Sequence, residues 1–138
     1  MISQRQVHQH IRTELENING IHGVWDNRAH DQLPEDQNGH ILPGVILQWR
    51  VPMAVHDVPL SDEQFLDARI YRIQMRPFAA TVEVLMDMTD AIIQHFTGMR
   101  IHRGIMRHSV EEEPVWPFQH DPDINVPYSV LYWRVATQ

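Results

Sequence analysis

The chain contains no cysteine, which excludes disulfide staples, thiolate nucleophiles and thiolate metal sites and fits a reducing compartment. It also contains no lysine: all 11 basic residues are arginine. Two readings of that bias stand. One is a protein built for bidentate, interface-type ion pairs, which a planar guanidinium makes better than an ammonium. The other is the arginine-coding preference of a GC-rich genome. Glycine is scarce, with 6 in 138 residues, and neither Gly-x-Gly-x-x-Gly nor the Walker phosphate loop occurs. Ser3, Ser61, Ser109 and Ser129 all lie outside any Gly-x-Ser-x-Gly elbow. Apolar runs such as Val45–Leu47 fall far short of a bilayer span. Met1–Arg5 carries no apolar stretch of signal-peptide length, so neither a secretory leader nor a membrane segment is expected.

What is present describes an ordinary globular domain. Apolar residues make up 43% and charged residues 21% of the sequence. A chain near this length buries roughly 68–70% of its unfolded surface, enough for a core without a metal or disulfide. No linker, repeat or low-complexity tract divides it, so residues 1–138 are expected to form a single domain. The net charge is −7 with histidine neutral. Polyanion binding driven by overall charge is therefore not expected, because phosphate contacts need clustered cations. Ten histidines make the charge sensitive to pH between about 5 and 7.

The hydrophobic pattern gives the elements. Ser3 can cap a helix in which Val7, Ile11, Leu15 and Ile18 form one stripe, ended by Asn19-Gly20. Ile21–Trp25 suits a short strand, and residues 27–44, with Pro34, Gly39, Pro43 and Gly44, a long loop. Val45–Val51 reads as a strand and Pro52–Gln64 as a loop or hairpin tip. In a further strand, Leu66–Met75, Tyr71, Ile73 and Met75 share one face and Arg72, Gln74 and Arg76 the other, with Pro77 as the stop. Residues 79–97 give the strongest helix, its stripe running through Val82, Leu85, Met88 or Thr89, Ile92 and Phe96, with Gly98 as its cap. Met99–Val110 then reads as a strand, Glu111–Asn125 as a loop and Val126–Ala136 as a last strand. In that last strand Leu131, Trp133 and Val135 face one way and Tyr128, Val130 and Tyr132 the other, which makes both faces apolar. The order predicts an α+β fold: a mixed, mainly antiparallel sheet of about five strands with two principal helices packed on it.

Chemistry-bearing patterns are few. His8 and His10, two apart on a helix, point too far apart to share an ion. His102 and His108 share a face of their predicted strand but sit roughly 20 Å apart along it. His120-Asp121-Pro122-Asp123 can either take a divalent cation or simply turn the chain. Glu83, Asp87 and Asp90 form an acidic line on the second helix. That line is either a solvated face or a surface that meets arginines of a neighbouring subunit or lines an opening kept negative. A glycosidase carboxylate pair is discounted, because a solvated helix face gives no pocket to raise one acid's pKa. Trp116 and Phe118, in a proline-rich loop, can anchor a partner or fold back on the sheet. With Tyr128 and Tyr132 of the two-sided last strand, these residues make up the candidate interface. No catalytic, cofactor-binding or metal-binding residue is assigned, and no enzymatic activity is expected.

As a whole the chain resembles the lambda-type tail-terminator family of long-tailed phages. The resemblance is carried by the opening amphipathic helix ending in Asn19-Gly20 and by the strands around Val45–Val51 and Leu66–Met75. It continues through the helix closing in His95-Phe96-Thr97-Gly98, then Met99–Val110, an Asp-containing loop, and Tyr128–Val135. It covers element order over most of the chain and brings no functional residue with it. It implies a virion subunit, assembled in the host cytoplasm, that forms a ring of six copies at the head-proximal end of the tail tube. Such a ring ends tube polymerisation, contacts the tail tube protein and the head-closure or connector protein, and lets DNA pass without specific binding. Another neck component, or a small hot-dog-like enzyme of a different class, are the alternatives.

Chelator treatment is expected to leave the thermal unfolding of the protein unchanged. A stoichiometric zinc, calcium or manganese ion found by elemental analysis after such treatment would reverse that expectation, and would point first to His120, Asp121 and Asp123.

Overall fold

Ser3 opens the first helix, α1 (Gln4–Glu16), with a reciprocal capping box. Its hydroxyl accepts from the Gln6 amide at 3.1 Å, and the Gln6 side chain accepts from the Ser3 amide at 2.8 Å. Val7, Ile11 and Leu15 are fully buried. The helix stops earlier than Asn19-Gly20. The Ile18 amide reaches back only to Leu15, a bond that tightens the last turn, and Asn17 becomes the cap. Ile18 packs on the core from beyond the helix end.

The computed structural model describes residues 2–27, 33–54, 69–108, 119–120 and 126–137. After α1 come β1 (Val24–Asp26), β2 (Gly44–Trp49), β3 (Met53–Ala54), β4 (Arg69–Phe78) and the second helix, α2 (Val82–Phe96). The short segments β5 (Arg100–Ile101), β6 (Gly104–Ile105), β7 (Arg107–His108), β8 (Gln119–His120) and β9 (Pro127–Tyr128) follow, and then β10 (Leu131–Thr137). The main sheet runs β1-β2-β4-β10-β7, with β3 and β9 also paired to β4 and β8 to β9. Among the described residues, only β1 and β2 pair in parallel; the other pairings are antiparallel. This is an α+β fold in which two helices pack on a mixed, mainly antiparallel sheet.

Three sequence expectations change. Pro77 does not stop β4, which continues to Phe78 because the chain beside it carries the pairing. Ser129 donates its amide to the Pro77 carbonyl at 3.0 Å, while Pro77 has no amide hydrogen to return. The last strand is accordingly split between β9 and β10, although the register Phe78↔Tyr128 continues into Met75↔Leu131. Nor is its second face uniformly apolar: Tyr132 is half-buried, and Arg134 and Ala136 are exposed. Met99–Val110 is likewise no single strand. β5 and β6 form a tight hairpin that turns at His102, whose φ is +56, so His102 and His108 do not share a strand. The predicted stretch 66–68 and most of Pro52–Gln64 lie outside the described residues.

Both helices lie on one face of the sheet. Their stripes, Val7, Ile11 and Leu15 with Leu85, Met88, Ile92 and Phe96, bury against Val45, Leu47, Tyr71, Ile73, Met75, Leu131, Trp133 and Val135. Polar ties fix the layer in place. His95 on α2 pairs with Glu14 on α1 at 2.7 Å, His8 and Arg12 of α1 reach Asp26 on β1, and Thr89 meets the buried Ser129 at 3.1 Å. Among the described residues, the opposite face has a smaller apolar cluster at one end, where Ile46, Phe78 and Val126 pack with Trp25, Leu33, Ile41 and Tyr128.

Two positions test this account. Gly98 follows α2 with φ +80, the left-handed conformation a helix stop requires. Gly98→Val is expected to lower stability by about 1 kcal/mol or more in thermal unfolding, because a β-branched side chain fits that region poorly. Thr137 is buried and fastens the β5–β6 hairpin: its hydroxyl donates to the Ile101 carbonyl at 2.9 Å and accepts from the Gly104 and Arg103 amides at 3.1 and 3.2 Å. Thr137→Val, close in shape, should cost about 1–3 kcal/mol by stranding those groups, whereas Thr137→Ser should stay near wild type. Equal stability of the two variants would contradict the assigned role of the hydroxyl.

Candidate functional site

The alternation along β4 sends Tyr71, Ile73 and Met75 into the helix-covered core and Ile70, Arg72, Gln74 and Arg76 to the other face. β10 does the same with Leu131, Trp133 and Val135 against Tyr132, Arg134 and Ala136. Register then decides which of these outward residues become neighbours. Arg134 stands opposite Arg72 on one side and Arg107 on the other. Directly paired residues in a ladder project to the same face, so three guanidinium side chains lie abreast across β4, β10 and β7. Arg50 extends the row beside Arg72, its amide bonding the Arg72 carbonyl at 3.3 Å.

The row is unusual energetically. Like charges placed directly opposite on a sheet are destabilising. Among the described residues, none of Arg72, Arg107 and Arg134 has a carboxylate within ion-pair distance. Arg107 and Arg134 are exposed and Arg72 is half-buried, with its Nε out of reach of solvent and without a hydrogen bond. Beside the row a pocket of about 330 Å³ opens between Arg103, Arg107 and Arg134, floored by Ile70 and Ala136. Guanidinium groups are suited to forked hydrogen bonds with carboxylates and other anions.

The predicted interface residues divide between the two faces. Tyr132 stands opposite Gln74 in the register next to the arginine row. Tyr128 lies further along the same face, with the Arg76 guanidinium 5.2 Å over its ring. Glu83, Asp87 and Asp90 are exposed on α2, in the helix layer on the opposite side of the sheet, and have no cationic partner among the described residues. Two exposed apolar residues, Val84 and Met86, accompany them on that helix. Trp116, Phe118, Asp121 and Asp123 lie outside the described residues. His8 is held by Asp26 at 2.8 Å. Among the described residues, no group of three or more histidine, aspartate or glutamate side chains is placed to hold a metal ion.

Sequence reasoning placed Arg72 and Arg76 on one strand face but missed the row. The signal in the sequence was the alternation Arg72-Gln74-Arg76 together with Tyr132-Arg134. What joins them to Arg107 is pairing register, which no local pattern encodes.

The sequence matches no protein-family model and no curated protein.

Proposed function

We propose that the chain is a structural subunit of a phage tail or neck. In this reading, copies assemble into a ring that caps the head-proximal end of the tail tube, ends its polymerisation and joins it to the head connector. The observation that supports the reading is the segregation of charge: Arg72, Arg107 and Arg134 on the face opposite the two helices and an acidic line on the helix layer, neither with an ion-pair partner among the described residues. A subunit with complementary patches on opposite faces contacts its neighbours head to tail, the geometry from which cyclic assemblies are built. A ring of six copies follows from the resemblance in element order to tail terminators. The two-layer arrangement supports it, since the helices stay on one face of an open sheet. The alternative hot-dog architecture would wrap its sheet round a long helix. The tail tube protein and the head-closure protein are the partners in this reading, and DNA crosses the ring without sequence-specific contact.

Imaging of the assembled particle tests the proposal. Density for this chain is expected as a ring between tail tube and head connector. Particles lacking it are expected to have tails of uncontrolled length that do not join heads. Tails of normal length joined to heads in its absence would overturn the reading, as would a two-fold dimer enclosing a ligand-filled cleft.

A further inference from the structure

The two charge patches, neither with an ion-pair partner among the described residues, are opposite in sign and similar in length. On α2, at about 100° per residue, Glu83, Asp87 and Asp90 fall within a narrow line. Leu85, Met88, Ile92 and Phe96, which bury into the core, occupy the opposite side of the helix. The carboxylates therefore project away from the sheet. From Glu83 to Asp90 the line is about 10.5 Å long, at roughly 1.5 Å of rise per residue. Across the sheet, Arg72, Arg134 and Arg107 occupy adjacent strands and span about 9.6 Å, at roughly 4.8 Å per strand. A helix laid crosswise over β4, β10 and β7 would thus bring one carboxylate near each guanidinium.

We infer that the arginine row Arg72–Arg134–Arg107 is the docking face for α2 of a second copy of this chain, and that it receives the Glu83–Asp87–Asp90 line. The inference rests on the self-assembly proposed above and names the contact that makes it. Three features favour a second copy over another anionic partner. The acid line has the length of the row and, among the described residues, also has no cationic partner. The exposed Met86, 46% accessible, borders the acids on the helix and gives the contact an apolar flank. The row, for its part, is flanked by the apolar Ile70 and Ala136 and by Tyr132. Because the two patches face opposite ways, one pair of copies cannot exchange both contacts about a two-fold axis. The interaction is heterologous, and each copy uses its helix on one neighbour and its sheet on the other.

The absence of cysteine makes the contact directly testable. Asp87→Cys and Arg134→Cys place single thiols at the two patch centres. Within one copy they lie on opposite faces, beyond the roughly 7 Å Cα separation a disulfide can bridge. Mild oxidation of the purified full-length double variant, concentrated in low salt, is expected to give a ladder of covalent multimers on a denaturing gel. Either single variant alone is expected to give dimers at most. About 0.5 M salt, which shortens the Debye length to a few ångström, should reduce ladder yield severalfold. Far-UV circular dichroism of each variant checks that the fold is kept. A double variant that yields no more than the dimers of the single variants overturns the inference. If the wild-type protein nonetheless forms rings in the same buffer or on the particle, the proposed function survives and the contact lies elsewhere. If no ring exists in either setting, both fall.

Discussion

The antiparallel ladder from Leu131↔Met75 to Thr137↔Arg69 decides which side chains meet the helices and which do not. β4 and β10 occupy the middle of the sheet, and strict alternation along both sends every second residue to each face. Since α1 and α2 both cover the same face, burial is one-sided. A one-residue shift of β10 would carry Trp133 outward and bring Arg134 into the core, and a one-residue shift of β4 would do the same to Ile73 and Arg72. Burying unpaired guanidinium groups there would be far costlier than any local preference could offset. The same register that protects the core therefore aligns the arginines.

Much of this was legible in the sequence. The three-and-four spacing of Val7, Ile11 and Leu15, and of Leu85, Met88, Ile92 and Phe96, gave both helices and their buried faces. Gly98 marked the helix stop correctly. The alternation Tyr71-Ile73-Met75 gave the inward face of β4, and the α+β class followed from element order. The misreadings share one origin, which is that a local signal was outweighed by a distant partner. Pro77 reads as a terminator, but Val45 and Ser129 hold the chain extended on either side of it. Met99–Val110 reads as one strand because a non-glycine turn at His102 leaves no sequence mark, and Thr137, distant in sequence, makes the turn viable. The acid line on α2 was visible from helical spacing. Its arginine counterpart was not, because Arg72, Arg107 and Arg134 become neighbours only through tertiary pairing.

The arginine row breaks the rule that like charges avoid each other across a ladder. Violations of local consistency tend to mark places where function constrains the sequence. The anchoring of the helix layer shows the contrast: Glu14, Glu16 and Asp26 find His95, Arg12 and His8 within the chain. The carboxylates on the outer line of α2 find no such partners among the described residues. Charges that hold the helix layer are paired within the chain, whereas Glu83, Asp87, Asp90, Arg72, Arg107 and Arg134 have no ion-pair partner among the described residues.

In the proposed assembly, the placement of those surfaces back to back would have a consequence for growth. Any open row of copies, however long, keeps one bare acidic end and one bare basic end. Each added copy moves those ends without removing them. Closure joins them with one extra contact and no further loss of a free copy's translational freedom, an intramolecular step governed by effective concentration. Were the rotation between copies to close, as the proposed ring requires, partial arcs would gain less per subunit than the complete circle, and single copies and finished rings would dominate; a rotation that does not close would give open filaments instead.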